Sequence, residues 1–255
     1  MLRSHLPLIC GVMVLTLTLQ VGPSAASPYD HAVTVEDLAD ERVYSPHVGR
    51  NYPDQVLFGD THFHTDLSFD AGLVGTKLGV DEAFRFARGE LVTSNSGQPA
   101  QLIRPLDFLV ITDHAEFIGL APMIHQSHPE LLGDEWGNWI HERFHSGPEG
   151  RLEAYRNIVK HGVTGQNPFN GEGVVQSFWT KFVEKADTYN EPGKFTAMTG
   201  FEWTSTPAGD NLHRVVIFRD GADKTSRTIP YSMFDSADPQ DLWKYLANYE
   251  DQTGG

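Results

Sequence analysis

The sequence predicts an α/β fold, in which short apolar strands alternate with amphipathic helices. Three apolar runs have the length and composition of strands, and each ends in carboxylate or imidazole side chains. Segments with helical periodicity follow these runs. Functional groups of α/β barrels collect at the carboxyl ends of the strands, so the same pattern predicts a polar site at that end of the sheet.

The composition excludes several classes of protein. The chain has 255 residues, of which 40% are hydrophobic and 21% charged, so it can bury a substantial core. A formal net charge of -15 argues against nucleic-acid binding, which needs a basic surface. The single cysteine excludes an internal disulfide. With 12 histidines and 34 acidic residues, any bound metal would have imidazole and carboxylate ligands.

Residues 1–26 have the pattern of a signal peptide. Arg3 precedes an apolar run over residues 6–21, and small residues follow at 24–26, which predicts cleavage after Ala26. An uncleaved anchor is the alternative, but the run is shorter than the ~20 residues of a membrane span. We expect an exported protein, periplasmic or extracellular, without membrane attachment after cleavage. Residues 27–55 read as an extended lead-in.

The elements of the main domain, residues 56–255, follow from local patterns. The predicted strands and helices are, in order, a buried strand from residue 56 to 63, a helix over 79–90, a buried strand over 106–111, a helical insertion over about 115–178, a helix over 178–189, a strand through 201–203, a strand over 213–219 and a final helix. The final helix begins at Asp238, followed by proline at its first position, and ends at Gly254.

The most informative motif is Asp60-Thr61-His62-Phe63-His64 at the end of the first strand. Side chains two residues apart in a strand face the same side, so His62 and His64 present two imidazoles to one side. Asp60 would lie on that side as well, as a ligand or as a group that orients an imidazole from the second shell. A pair of chance histidines at a strand end is the alternative for this motif alone.

Four further residues of metal-ligand type follow the strand ends, namely Asp70, His114, Glu202 and His213. Each has an ordinary explanation by itself, such as a turn residue or a paired core acid. A carboxylate can bridge two cations, so the six groups together predict a site for more than one metal ion.

These residues carry a resemblance to the PHP superfamily (polymerase and histidinol phosphatase), and within it to a secreted branch of uncharacterised function. The matching stretches are residues 58–65 with 68–71, residues 111–116, and residues 200–204 with His213. The resemblance runs from about residue 56 to 255. It implies a distorted (β/α)7 barrel that binds two or three divalent transition metals (Zn, Mn or Fe) in a complete domain and hydrolyses phosphate esters.

The resemblance also implies roles for the six residues. His62 and His64 would hold a first ion, and Glu202 would bridge it to a second ion on His213, while Asp70 and His114 would belong to a third. The family pattern continues with a further histidine and an Asp-x-His pair that this sequence does not supply. We therefore expect the chain to be the N-terminal part of a longer protein; a natural short form is the alternative.

For the reaction, we expect Glu202, His114 and Asp113 to be catalytic, with His114 or Asp113 positioning water or transferring a proton. Trp203 and Arg214, which adjoin the predicted ligands, are candidates to contact the substrate, a small molecule and, by the resemblance, a phosphate ester.

Three other functions remain open. An amidohydrolase-like enzyme also begins with His-x-His, but it needs a metal-bridging lysine or an equivalent group in mid-barrel, and Lys194 comes too early in its strand. A non-catalytic, metal-dependent binding protein in the periplasm is the second. The least favoured is a zincin protease using His141, Glu142 and His145, because Ser146-Gly147-Pro148 ends that helix at once and no third ligand follows.

Overall fold

The computed structural model describes residues 56–206 and 210–254. The predicted signal peptide and lead-in therefore lie outside the described residues. Within these ranges the chain has a mixed α/β architecture, so the α/β prediction is confirmed. The (β/α)7 barrel stays a prediction, because what the structure describes is a sheet curled into half a barrel.

The described strands form two sheets. The strands are β1 (Gly59–Phe63), β2 (Val92–Thr93), β3 (Pro99–Ala100), β4 (Phe108–Ile111), β5 (Thr196–Ser205) and β6 (Leu212–Phe218). The main sheet has the order β1-β4-β5-β6, in which β1, β4 and β5 are parallel and β6 runs antiparallel to β5. The short strands β2 and β3 form a separate antiparallel pair, which the sequence patterns did not predict.

Helices connect and cover these strands. They are α1 (Phe69–Val74), α2 (Val80–Ala87), α3 (Leu120–His125), α4 (Pro129–Gly133), α5 (Glu135–His145), α6 (Pro148–Thr164), α7 (Glu172–Tyr189), α8 (Ala222–Thr225) and α9 (Pro239–Thr253). The predicted helical stretch over residues 115–178 thus contains α3 to α6 and the start of α7. Helix α7 begins six residues before the predicted position, directly after Gly171.

The two helices predicted with the clearest signals form where the sequence places them. In α2, Ala83, Phe84 and Ala87 are buried against the sheet on one apolar stripe. At the start of α9, the Asp238 carboxylate accepts a hydrogen bond from the backbone N–H of Gln240 at 2.9 Å. Gly254 ends α9 with φ of 65°, a left-handed conformation that glycine adopts without strain.

Two apolar clusters form the core. The first packs α2, α7 and α9 against the main sheet, and its largest fully buried side chains include Trp179, Phe84, Phe201 and Trp203. The second joins helices α3 to α7, with Phe117, Ile140 and Ile158 among its buried members. The helical stretch after His114 therefore has a core of its own, beside the one that supports the sheet.

The prediction of a buried first strand is wrong. Residues 56–58 precede β1 and are largely exposed, with Phe58 at 55%, and most of β1 is exposed too. The physical reason is its position: β1 pairs with β4 on one side, and no strand of the described residues pairs with it on the other. An edge strand is covered by a neighbouring strand on one side only, so the other side stays open.

No helix in residues 56–206 and 210–254 combines the length and the apolar character that crossing a bilayer would require.

Candidate metal centre

The predicted ligands meet at the carboxyl ends of β1, β4 and β5 because main-chain hydrogen bonds align these ends. The N–H of Thr112 donates to Phe63 O at 2.8 Å, which places the residues after β1 beside those after β4. The N–H of Glu202 donates to Asp113 O at 3.0 Å, and Ala115 donates to Glu202 O at 2.8 Å. His64, His114 and Glu202 are therefore neighbours through the sheet ladder itself.

His213 reaches the same place through the antiparallel pairing of β5 and β6. It pairs with Thr204 in the ladder, two residues beyond Glu202. Alternate residues of a strand face the same side, so Glu202, Thr204 and His213 share one face of the sheet. The predicted juxtaposition of Glu202 and His213 is present in the structure.

The Glu202 carboxylate is the centre of the cluster. Its Oε2 lies 3.1 Å from His62 Nε2, 2.9 Å from His64 Nε2 and 3.4 Å from His114 Nε2. Its Oε1 lies 2.6 Å from His213 Nδ1. The Glu202 side chain is only 2% exposed, whereas His62 is 50% exposed, so the cluster is buried at the carboxylate and open to solvent at its rim.

Two of these atoms lack a hydrogen bond despite their short contacts. Within the described residues, Glu202 Oε2 and His64 Nε2 are buried without a hydrogen-bond partner, because the ring N–H direction does not match the oxygen. Leaving buried polar atoms unsatisfied costs about 1–3 kcal/mol each. A set of metal ligands has this arrangement when no ion is bound: its nitrogen and oxygen atoms converge without hydrogen bonds between them.

Asp70 lies on the other side of His64. It is in the first turn of α1, with Oδ1 at 3.1 Å from His64 Nδ1 and Oδ2 at 3.6 Å from His114 Nε2. The Ser68 hydroxyl donates to Asp70 Oδ1 and lies 3.2 Å from His64 Nδ1. The predicted proximity of Asp70 to His114 is therefore present, and Asp70 contacts His64 as well.

The charges of the cluster compensate one another. Burial alone would lower the pKa of His64, but contacts with Asp70 and Glu202 outweigh it and raise that pKa to about 10. Burial would likewise lower the pKa of His114, but contacts with Asp70 and Glu116 outweigh it and raise that pKa to about 9. The same histidines overcome burial at the acids: the pKa of Asp70 is lowered, and that of Glu202 falls to about 2.

Within the described residues, three groups of side chains have ligand atoms close enough to hold a metal ion. They are His62, His64 and Glu202; His64, Asp70 and His114; and His114, Glu202 and His213. A neutral imidazole offers one lone pair, whereas a carboxylate has several and can bridge. The first and third groups share only Glu202, so each can hold an ion at the same time. An ion in the second group would take His64 from the first group and His114 from the third.

Two of the predicted site residues do not join the cluster. Asp60 accepts a hydrogen bond from the backbone N–H of His62 at 2.8 Å, and no imidazole ring is among its hydrogen-bond partners in the described part of the chain. A β-bulge between Asp60 and Phe63 interrupts the alternation that would have placed Asp60 with the histidines. Asp113 is 1% exposed and accepts bonds from the Thr65 N–H and hydroxyl, so it joins the ends of β1 and β4.

The two residues expected to contact the substrate lie on the opposite face of the sheet. Trp203 is fully buried, and its indole N–H donates to Ser236 O at 3.3 Å. Arg214 pairs with Trp203 in the ladder and is exposed, and its guanidinium donates to His213 O. Because neighbouring residues of a strand alternate in direction, both point away from the face that holds Glu202 and His213.

Two residues that the sequence patterns did not single out touch the cluster. Thr204 Oγ1 lies 2.9 Å from His114 Nδ1 and 3.1 Å from His213 Nδ1. Glu116, which is 2% exposed, has Oε2 at 3.5 Å from His114 Nδ1. Glu116 lies in a turn after β4, two residues from His114, and this closeness in sequence was the signal available for it.

The zincin motif lies apart from the cluster. His141, Glu142 and His145 are on α5, and they belong to none of the three ligand groups found in the described residues. His141 Nε2 lies 2.8 Å from Ser127 Oγ, and His145 Nδ1 lies 2.9 Å from His141 O. Slight burial and the neighbouring His145 lower the pKa of His141.

Comparison with known proteins identifies one family. A sequence model described as "Protein of unknown function (DUF3604)" matches residues 51–255, the greater part of the chain. No curated protein and no solved structure matches the chain.

Proposed function

The chain belongs to the DUF3604 family of proteins of unknown function, and from the geometry of its histidine and carboxylate cluster we propose that it is an exported, metal-dependent hydrolase. The substrate class that we propose is a phosphate ester. The resemblance of the motifs to the PHP superfamily, with its (β/α)7 barrel, remains part of this proposal.

One observation carries the proposal: Glu202 Oε2 is buried, has no hydrogen-bond partner in residues 56–206 and 210–254, and faces three imidazole nitrogens. The donor set of neutral imidazole and carboxylate suits Zn, Mn or Fe better than softer ions. We propose two ions, one with His62, His64 and Glu202, the other with His114, Glu202 and His213. Asp70 then orients His64 through Nδ1, unless a third ion takes it as a ligand.

The chemistry follows from the donor set. When bound, such ions lower the pKa of a coordinated water and polarise the ester that it attacks. Glu202 would hold both ions at a fixed separation, and its burial keeps bulk water from competing for the carboxylate. His62 and His213, with 50% and 39% of their side chains exposed, mark the open side by which a substrate would enter.

Amidohydrolase chemistry receives less support from the same geometry. It would need a metal-bridging lysine or an equivalent group, but Lys194 is 74% exposed and pairs with Glu191 before β5 begins. A non-catalytic metal-dependent binding protein would use the same ligands, and only turnover distinguishes it from the hydrolase.

Metal content tests the site. We expect purified protein to carry about two transition-metal ions per chain by elemental analysis, and the double variant His62→Ala/His64→Ala to lose at least one. The control His141→Ala/His145→Ala should keep the full content, whereas a zincin site predicts the reverse. Less than one ion per chain, or no loss in the first variant, would refute the proposed site.

Turnover tests the hydrolase. We expect metal-loaded protein to hydrolyse p-nitrophenyl phosphate or bis-p-nitrophenyl phosphate, and Glu202→Gln or a chelator to abolish the activity. Metal binding without turnover of any phosphate or carboxylic ester would favour a binding protein. Export is tested separately by mass spectrometry of the mature chain, which should begin at Ser27.

A further inference from the structure

We propose that Glu116 is a positioning residue of the metal centre, which holds the His114 imidazole in the tautomer whose Nε2 lone pair faces the cluster. This inference rests on the proposed function, because it concerns the ligands of that site. Glu116 follows His114 by two residues and has no place in the predicted ligand set.

The two oxygens of Glu116 have different surroundings. Oε1 accepts hydrogen bonds from the backbone N–H groups of Met233 at 2.9 Å and Thr204 at 3.3 Å. Oε2 is buried without a hydrogen-bond partner in the described part of the chain and lies 3.5 Å from His114 Nδ1. One oxygen therefore fixes the carboxylate in place, and the other is aimed at the back of the imidazole.

The direction of the imidazole makes this contact informative. His114 Nδ1 faces Glu116 Oε2 and the Thr204 hydroxyl, whereas Nε2 faces Glu202 Oε2 at 3.4 Å and Asp70 Oδ2 at 3.6 Å. An ionised carboxylate can only accept, so it favours a proton on Nδ1. In the neutral ring the lone pair is then on Nε2, on the side of the metal ligands.

Thr204 alone does not determine the tautomer. A hydroxyl donates as readily as it accepts, and Thr204 Oγ1 also lies 3.1 Å from His213 Nδ1. The buried negative charge of Glu116 is the group next to Nδ1 that cannot donate. A carboxylate behind a ligating imidazole also makes the ring more basic, and removing such a partner weakens metal affinity about 10–100-fold.

The substitution Glu116→Gln separates this role from a structural one. The glutamine carbonyl oxygen can still accept from the Met233 and Thr204 N–H groups, so the local fold is kept. Its NH2 group then faces His114 Nδ1 as a donor, which moves the ring proton to Nε2 and removes the lone pair from the metal side. The matched control is Glu142→Gln, an exposed glutamate on α5 outside the cluster.

We expect zinc titration of metal-free protein to show about 10–100-fold weaker binding at one of the sites for Glu116→Gln, and unchanged binding for Glu142→Gln. Nitrogen-15 NMR of the zinc-loaded proteins should show the His114 proton on Nδ1 in the wild type. Wild-type affinity in Glu116→Gln, or a wild-type His114 protonated on Nε2, would overturn the inference. Absence of zinc binding by the wild type would instead refute the proposed function.

A second variant keeps the inference testable if Glu116→Gln does not fold. Thr204→Val removes the hydroxyl but leaves the backbone N–H and Glu116 in place, so Nδ1 keeps its charged acceptor. We expect the zinc affinity of the His114 site to stay within about threefold of the wild type. A loss of tenfold or more would assign the tautomer to Thr204 and overturn the role of Glu116.

Discussion

Metal binding should release protons, because two of the imidazole ligands, His64 and His114, are protonated when no metal is present. The pKa values of His64 and His114 are about 10 and about 9, so both rings are charged at pH 7. The carboxylates of Asp70 and Glu202 are already ionised at that pH, since their pKa values are lowered. Saturating the site with zinc at pH 7 should therefore release about two protons from these rings per chain.

Both rings stay mostly protonated between pH 6 and 8, because their pKa values are about 10 and about 9. The apparent affinity for two ions together should consequently rise about 100-fold per pH unit between pH 6 and 8. A protonated ring has no lone pair for a metal, so the sign is fixed: acid weakens binding.

Calorimetry measures the released protons directly. Zinc is titrated into chelator-treated protein at pH 7 in buffers that differ in ionisation enthalpy. The slope of the observed binding enthalpy against the ionisation enthalpy of the buffer gives the number of protons released. The variant His141→Ala/His145→Ala serves as control and should give the wild-type count, since these rings are outside the cluster. Release of fewer than one proton, or an affinity that changes less than tenfold per pH unit, would refute the charge state described above.

Three further predictions concern stability and folding. The folded-state pKa values of His64 and His114 lie above the unfolded value of about 6.5. The free energy of unfolding of the metal-free protein, measured in urea, should therefore fall as the pH rises from about 7 to 10. A rise in that free energy would contradict the ion pairs. Trp179→Ala should lower the free energy of unfolding by about 3–5 kcal/mol in urea titrations, because the ring is fully buried and its N–H donates to Thr225 O; a loss below about 1 kcal/mol would contradict its core position. Asp238→Ala should lower it by about 1 kcal/mol through loss of the α9 cap, and no change would mean that the cap contributes nothing.

The sequence predicted the elements that have strong local signals. The stripe of α2 and the Asp238 cap of α9 depend on residues within a few positions of one another, and both form as expected. The burial of β1 depends on which strands lie beside it, which is a tertiary property that three apolar residues at 56–58 do not encode. The short pair β2–β3 has two residues in each strand, too few for an alternating pattern to be recognised.

The candidate site was predictable as a set of ligands but not as a geometry. Residue type and position at strand ends brought forward His62, His64 and Glu202, which the fold places together. Asp60 was misplaced because a β-bulge changes the alternation, and a bulge has no reliable signature in one sequence. Trp203 was chosen for being adjacent to Glu202 in sequence, although adjacency in a strand means opposite faces.

The charge state of the site bears on how an acidic chain could bind a phosphate ester. When the carboxylate of Glu116 is counted with Asp70 and Glu202, three negative charges face protonated His64 and His114, and the metal-free site has a charge of about -1. Exchanging two protons for two dications changes the sum to about +4 from the ions and -3 from the carboxylates, or about +1. In a chain with a formal charge of -15, anion binding at this site would then arise only with metal present. Inorganic phosphate should accordingly bind to zinc-loaded protein and not to chelator-treated protein. Equal binding to both forms would mean that the metal ions are not what binds the anion.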